Sequence, residues 1–323
     1  MAIGAAGTGV DACVAALGLR AADESAVISV RDNSRVSKVR AGERVFAVKE
    51  CRVRGTAMPD TVGAESEYHA LVRLADAAAA AGRDSPCPHP VVLCREHAAY
   101  AMSWADGRTA TRLAMALTCS TDDARAIGAR AGGWLLGFHR LHSLPARTGD
   151  YVAKLDHVED AARRAGDAEP SLRTAAAALR ATADECARVR MPASWVHGDM
   201  KSDNILLGAT GTTGLDARLL HENTVAYDLA PFLNHARLLR WSSRGWWAAR
   251  KLDALVAGFL GGYDGDRAAW KPALTWLQAY MLMQSLASAA TPGWRGAISR
   301  APLRAELRRA IADLQAPAKA TAR

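Results

Sequence analysis

The apolar residues of this chain change their spacing once, near Asp106-Gly107-Arg108, and that change constrains the fold more than any other feature. Before it they come in short runs: Val27, Ile28 and Val30, then Val36 and Val39, then Val45, Phe46 and Val48. The turn-forming stretches Asp32-Asn33-Ser34 and Ala41-Gly42-Glu43 separate them. Runs of this length predict three short antiparallel strands. Ala64 to Ala80 follows with Leu71, Leu74 and Ala75 on one helical face. Glu65 and Glu67 stand early in it, where acidic groups suit the positive end of a helix dipole. Pro86, Pro88 and Pro90 then lead into two further strand candidates, Val91 to Cys94 and Ala98 to Ser103.

Beyond Arg108 most of the chain is periodic at helical spacing: Ala124–Leu144, Leu172–Val189, Val225–Leu239, Trp246–Leu260, Ala273–Ala289 and Leu303–Leu314. One interruption, Trp195-Val196-His197 with Asn204 to Leu207 and a turn-rich stretch to Gly214, reads as a small hairpin among helices. A chain of 323 residues exceeds the roughly 100 to 200 of one domain. The expectation is an α+β molecule of two lobes. Residues 1–103 would form a small antiparallel sheet with one main helix, and residues 104–323 a mainly helical lobe.

Composition narrows the class. Half of the residues are apolar and 23% charged, which excludes a disordered chain. No apolar run approaches the ~20 residues of a membrane span. Met1 to Val10 has no basic leader before an apolar block, so the cytoplasm is the expected location. The cysteines, Cys13, Cys51, Cys87, Cys94, Cys119 and Cys186, form no C-x-x-C pair and read as reduced, buried fillers. The net charge of +8 comes with no nucleic-acid-binding motif, so no nucleic-acid partner is expected. Gly4-Ala5-Ala6-Gly7-Thr8-Gly9 looks like a phosphate-binding loop but follows no strand, and reads as a flexible terminus.

The chemistry concentrates in His197-Gly198-Asp199-Met200-Lys201-Ser202-Asp203-Asn204, with Asp216 further on. Phosphoryl transfer needs positioning and compensation of dispersed negative charge more than covalent chemistry. Asn204 and Asp216 offer hard oxygens of the kind magnesium prefers. Asp199 would accept the hydrogen bond of an acceptor hydroxyl and aim its oxygen.

This stretch resembles the catalytic loop H-G-D-x-x-x-x-N of the aminoglycoside phosphotransferase and choline kinase superfamily. The resemblance takes in Gly132 to His142, similar to a family helix ending in a leucine-histidine pair, and Ala226-Tyr227-Asp228-Leu229-Ala230 behind the loop. It implies a protein-kinase-like fold with a hinge near Met102 to Gly107 and catalysis in the cleft between the lobes. ATP with Mg2+ is the implied cofactor pair, with GTP as the alternative nucleotide. Lys49 would grip the α- and β-phosphates, with Glu67 as its ion-pair partner and Glu65 as the alternative. The turn ending at Ser34 would cover the phosphates, and the strand from Tyr100 through Met102 to Trp104 would meet the adenine. Lys201 resembles the lysine by which serine/threonine protein kinases contact the γ-phosphate. Asp228 would brace the catalytic loop, and His197 would be part of that scaffold.

The sequence departs from the family after Asp216, where Ala217-Arg218 stand in place of an aromatic residue and an acid, and at Asn223-Thr224-Val225 in place of glycine-aspartate-proline. These departures keep a catalytically retired nucleotide-binding module as the alternative. A protein kinase is disfavoured, with no D-F-G or A-P-E sequence and no room for an activation segment before Asp228. The expected partner is a small molecule with a hydroxyl: a sugar, amino alcohol, antibiotic or glycolipid-like acceptor. Trp241, Trp246, Trp247, Trp270, Trp276 and Trp294 could line its pocket, although their helical spacing suits core packing better. Arg237, Arg240, Arg244, Arg250 and Lys251 occupy a stretch without acids. Facing the cleft, they would repel a polycation and favour a neutral or anionic acceptor; the alternative is a solvated basic face.

Overall fold

The computed structural model describes residues 9–19, 22–165, 169–209, 211–217, 220–242, 247–289 and 293–316, with backbone alone for 164–165 and 293–299. The chain forms two compact units. One is built on residues up to Arg108 together with Ile205–Leu220, the other on Thr109–Asn204 and the residues from His221 onward.

The first unit contains α1 (Gly9–Ala16), β1 (Glu24–Arg31), β2 (Ser34–Ala41), β3 (Arg44–Cys51), α2 (Thr61–Ala80), β4 (Pro90–Cys94) and β5 (Ala99–Ser103). The strands make one antiparallel sheet in the order β1-β2-β3-β5-β4. Successive residues of a strand point to opposite faces. Phe46 and Val48 of β3 therefore bury with Val39, Ala99 and Ala101 against Val10, Cys13 and Val14 of α1, while Lys49 points to the other face. The terminus expected to be flexible thus gives way to a packed helix at Gly9, whose N–H donates to Glu50 Oε1 at 2.9 Å; Gly4 to Thr8 of the glycine-rich stretch lie outside the described residues. The turn between β1 and β2, Asp32-Asn33, has no residue at positive φ, so it needs no glycine. Asp60 caps α2, accepting from the Gly63 N–H at 2.8 Å.

The hairpin expected between Trp195 and Asp216 resolves into two pieces. Following a two-residue strand β6 (Arg108–Thr109), the chain forms β7 (Leu144–Thr148) and β8 (Arg190–Val196) before β9 (Ile205–Leu207), β10 (Thr212–Gly214) and β11 (His221–Thr224). Strand β8 pairs with β7 and β11 in the second unit. Strand β9 pairs with β10 in the first. The loop between β8 and β9 ends in a tight turn at Ser202–Asn204 and hands the chain from one sheet to the other.

The rest of the second unit is helical: α3 (Ala110–Ala114), α4 (Thr121–His139), α5 (Leu155–Ala165), α6 (Pro170–Cys186), α7 (Ala226–Leu239), α8 (Ala249–Tyr263), α9 (Arg267–Ser288) and α10 (Gly293–Gln315). The helix expected to reach Leu144 ends at His139, and Leu144, Arg147 and Thr148 pair with β8 as β7, with Pro145 in the irregularity between them. Helices α4 and α8 approach closely through Gly128 and Gly132 on one side and Gly258 and Gly262 on the other. A Cβ at any of the four would fall onto a backbone carbonyl oxygen of the facing helix. Gly132→Leu should therefore force the helices apart and lower stability by at least the ~1–3 kcal/mol of an overpacked core, read as a lower denaturant midpoint; an unchanged midpoint would contradict the close crossing. Among the described residues no helix is long and apolar enough to cross a membrane.

Candidate functional site

In the first unit, burial and charge converge on Lys49. Its side chain is 1% exposed, with Nζ 2.7 Å from Glu67 Oε2 and 2.7 Å from Asp216 Oδ1. Burial alone would pull the ammonium's pKa down, but the charges of Asp216 and then Glu67 outweigh it and raise the pKa. Glu65 pairs instead with Arg95, so Glu67 is the anchor. Tyr100 adds a third contact, its hydroxyl donating to Glu67 Oε2 at 2.9 Å. Burial, then the Glu67 charge, pushes the Tyr100 phenol well up.

Asp216 follows the β9–β10 hairpin at φ +59°, a left-handed conformation that aspartate tolerates better than most residues. Its second oxygen, Oδ2, accepts from Arg31 Nη1 at 3.0 Å. The sequence gives no signal for Arg31; it arrives here as the last residue of β1. Beside this carboxylate lies a cavity of about 250 Å³ lined by Ile28, Ser34, Ala47, Met102, Trp104 and Asp216 among others. Ser34, Met102 and Trp104 thus come together as one lining. Trp104 is held by its indole N–H donating to Asp106 Oδ1 at 2.7 Å and by Lys38 Nζ 4.4 Å from the ring centroid. An apolar cavity next to a fixed cation and a carboxylate can hold a flat apolar ring carrying an anionic tail.

In the second unit, β8 delivers the loop that begins at His197. The His197 ring is fully buried, 5.9 Å from Trp134 and 6.0 Å from Phe138 between ring centroids. Gly198 turns the chain at φ +79°, a conformation glycine adopts without penalty. Fully buried Asp228, in the first turn of α7, accepts from the His197 N–H at 2.7 Å and the Gly198 N–H at 3.1 Å. His139 Nε2 lies 3.0 Å from the same carboxylate, and its Nδ1 lies 2.7 Å from the Tyr263 hydroxyl. Burial would raise the Asp228 pKa, yet the hydrogen bond and charge of His139, with His197, hold it below the ordinary value. The histidine that reaches the brace is His139. His142, of the expected leucine-histidine pair, stacks on Trp195 at 4.2 Å and meets Glu222 at 2.8 Å.

Asp199 follows Gly198 in this loop. Its Oδ2 accepts from Lys201 Nζ at 2.8 Å and from Asn204 Nδ2 at 3.0 Å, and Asn204 Nδ2 also reaches the Asp199 carbonyl at 2.8 Å. Oδ1 has no partner among the described residues. Asn204 Oδ1 is buried and likewise unpartnered. That orphaned oxygen fits a residue reserved for a cation, since a buried acceptor without a partner is costly. The far side of the loop is pinned by His235, 3.0 Å from Ser202 Oγ and 3.3 Å from Asp203.

The aromatic and basic residues divide. Trp276 and Trp270 are buried core, Trp241 is exposed and donates to Glu306 at 2.9 Å, and Trp247 lies under Lys251. Arg240 pairs with Asp253, and Lys251 donates to the Ala116 carbonyl at 2.9 Å, so part of the basic run is spent on local contacts. Arg244 and Trp246 lie outside the described residues, as does the side chain of Trp294.

A search of the curated proteins gave no match. Among solved structures the chain is similar to an amicoumacin kinase in complex with AMP-PNP, Ca2+ and Ami, at 10% identity and TM-score 0.57, covering 89% of this chain and 88% of that one. It is similar to a glucosamine kinase in complex with glucosamine, ADP and inorganic phosphate, at 17% identity and TM-score 0.55 over 94% and 83% of the two chains. An aminoglycoside-3'-phosphotransferase of type VIII matches at 21% identity and TM-score 0.53 over 85% and 98%. At these identities the likeness is one of fold, and it makes the fold kinase-like. The profile of the phosphotransferase enzyme family matches residues 31–273. That match spans well over half of the sequence, and the chain therefore belongs to the phosphotransferase enzyme family.

Proposed function

We propose that this phosphotransferase moves the γ-phosphate of ATP to a hydroxyl of a small molecule, with Asp199 as the residue that receives the hydroxyl. The observation that carries the reading is the state of Asp199. One oxygen is fixed by Lys201 and Asn204, the other has no partner among the described residues, and a positioned open carboxylate oxygen is what accepts a hydroxyl proton. Lys49, anchored by Glu67, would bind the nucleotide's phosphates, and the cavity lined by Met102 and Trp104 would take its base. Asn204, through its orphaned Oδ1, and Asp216 are the proposed protein ligands of Mg2+. When bound, the ion would compensate the charge on the phosphate oxygens. Lys201 would keep Asp199 oriented and place a positive charge near the transferred group.

The neighbours of similar fold support the nucleotide part, being complexes with AMP-PNP and Ca2+ or with ADP. They also support acceptors of sugar or antibiotic type. The test is product detection with MgATP, and with MgGTP in parallel, against aminoglycosides, macrolides, choline, homoserine, free sugars and glycolipid precursors. A phosphorylated product is expected from one acceptor class. No product together with no magnesium-dependent nucleotide binding would overturn the reading in favour of a retired binding module.

A further inference from the structure

Both oxygens of Asp216 are held by cations of the protein itself, and the two cations are held very differently. Lys49 Nζ sits on Oδ1, is almost wholly buried, and has Glu67 as a second anchor at 2.7 Å. Arg31 Nη1 sits on Oδ2 at 3.0 Å, but its side chain is 41% exposed and this is its one ion pair among the described residues. It hangs from the last residue of β1, a strand at the edge of the sheet that carries exposed Val27, Ile28 and Val30. A divalent cation on Oδ2 would be repelled by the guanidinium beside it, so a metal binds there more readily when Arg31 leaves. Arg31 is the cation free to do so. It also lines the same cavity as Asp216, Ser34 and Met102, so the guanidinium borders the space proposed for the nucleotide.

We propose that Arg31 is an exchangeable counter-ion of this site: it neutralises Asp216 in the nucleotide-free protein, and on nucleotide binding moves from the carboxylate to the nucleotide's phosphates. The inference rests on the ATP reading above and assigns a positioning residue that the sequence did not reveal. A guanidinium suits both partners, since its planar fork matches carboxylate and phosphate oxygens alike. The exchange leaves no buried charge unpaired in either state. Without nucleotide, Lys49 and Arg31 stand against Asp216 and Glu67. With it, the metal charge on Asp216 and the phosphate charge beside Arg31 offset each other. Lys49 performs no such exchange, because Glu67 keeps it in place.

Calorimetric titration of Arg31→Gln with MgATP and with adenosine tests the phosphate half. Mn2+ titration of the nucleotide-free protein tests the carboxylate half. Arg40→Gln is the control, because it removes one positive charge from the same sheet, from an exposed pair with Glu24 at 3.6 Å. Arg31→Gln should weaken MgATP by about tenfold or more, the scale of a lost charge-assisted hydrogen bond, and leave adenosine affinity unchanged. The same variant should bind Mn2+ more tightly than wild type in the absence of nucleotide, and Arg40→Gln should do neither. Unchanged MgATP affinity, or an equal loss for adenosine, overturns the phosphate contact. Unchanged Mn2+ affinity overturns the competition at Asp216. Failure of the ATP reading itself would show differently, as absence of MgATP binding in the wild-type protein.

Discussion

Asp199→Ala should lower phosphoryl transfer by about 10²- to 10⁴-fold, the range that a positioned general base contributes, with MgATP affinity close to wild type. The variant leaves Lys49, Glu67 and Asp216 untouched, and these three carry the proposed phosphate grip. It removes the carboxylate that Lys201 and Asn204 aim. Single-turnover product formation measured beside nucleotide binding separates the two effects. A parallel fall in both would mean that Asp199 holds the nucleotide or the fold, and the proposed role would be abandoned. Asn204→Ala should behave differently. It deletes the orphaned oxygen as well as an Asp199 partner, so activity should fall and the Mg2+ concentration for half-maximal rate should rise. An unchanged metal requirement would remove Asn204 from the ligand set.

What could be read from the sequence was whatever depends on local order. The period-two runs on either side of Asp32-Asn33 and Ala41-Gly42-Glu43 define their own hairpins. The pairing of Lys49 with Glu67 is one that the family resemblance implies, with Glu65 left as the alternative, and the contact at 2.7 Å decides between them. Asp199 and Asn204 are five residues apart in one loop, so their contact is nearly a property of the loop alone. The brace behind that loop was only half legible. Asp228 falls in a family-like run, but His139 and Tyr263 meet it because α4 and α8 cross closely enough for glycines to face carbonyls. No periodicity encodes a helix crossing. Strand β7 was hidden for a related reason. Its partner β8 lies about forty residues on, and Leu144 by itself continues the helical spacing before it. Arg31 was invisible because an arginine at a strand end is ordinary until Asp216 arrives from the distant β9–β10 hairpin.

Asp228→Asn should destabilise the second unit by about 1–3 kcal/mol, the cost of leaving buried hydrogen-bond partners unsatisfied, and should change how stability depends on pH. Asp228 is fully buried, and besides the contact with His139 it accepts from two backbone N–H groups of the loop that begins at His197. Its folded pKa lies below its ordinary value. In the unfolded chain the same carboxyl binds a proton near its ordinary pKa of about 3.9. Between these values the unfolded state holds more protons than the folded one. The stabilisation from Asp228 is therefore complete above about pH 4 and is lost as the pH falls through the folded pKa. Urea denaturation of wild type between neutral pH and about pH 3 should show the loss at the acid end. Asp228→Asn, neutral throughout, should begin less stable and show a shallower acid slope. Equal slopes for the two proteins would mean that the acid transition belongs to other carboxylates. A variant as stable as wild type at neutral pH would mean that the substituted amide keeps the loop in place through neutral hydrogen bonds alone, leaving the charge of Asp228 with no structural part in holding Asp199.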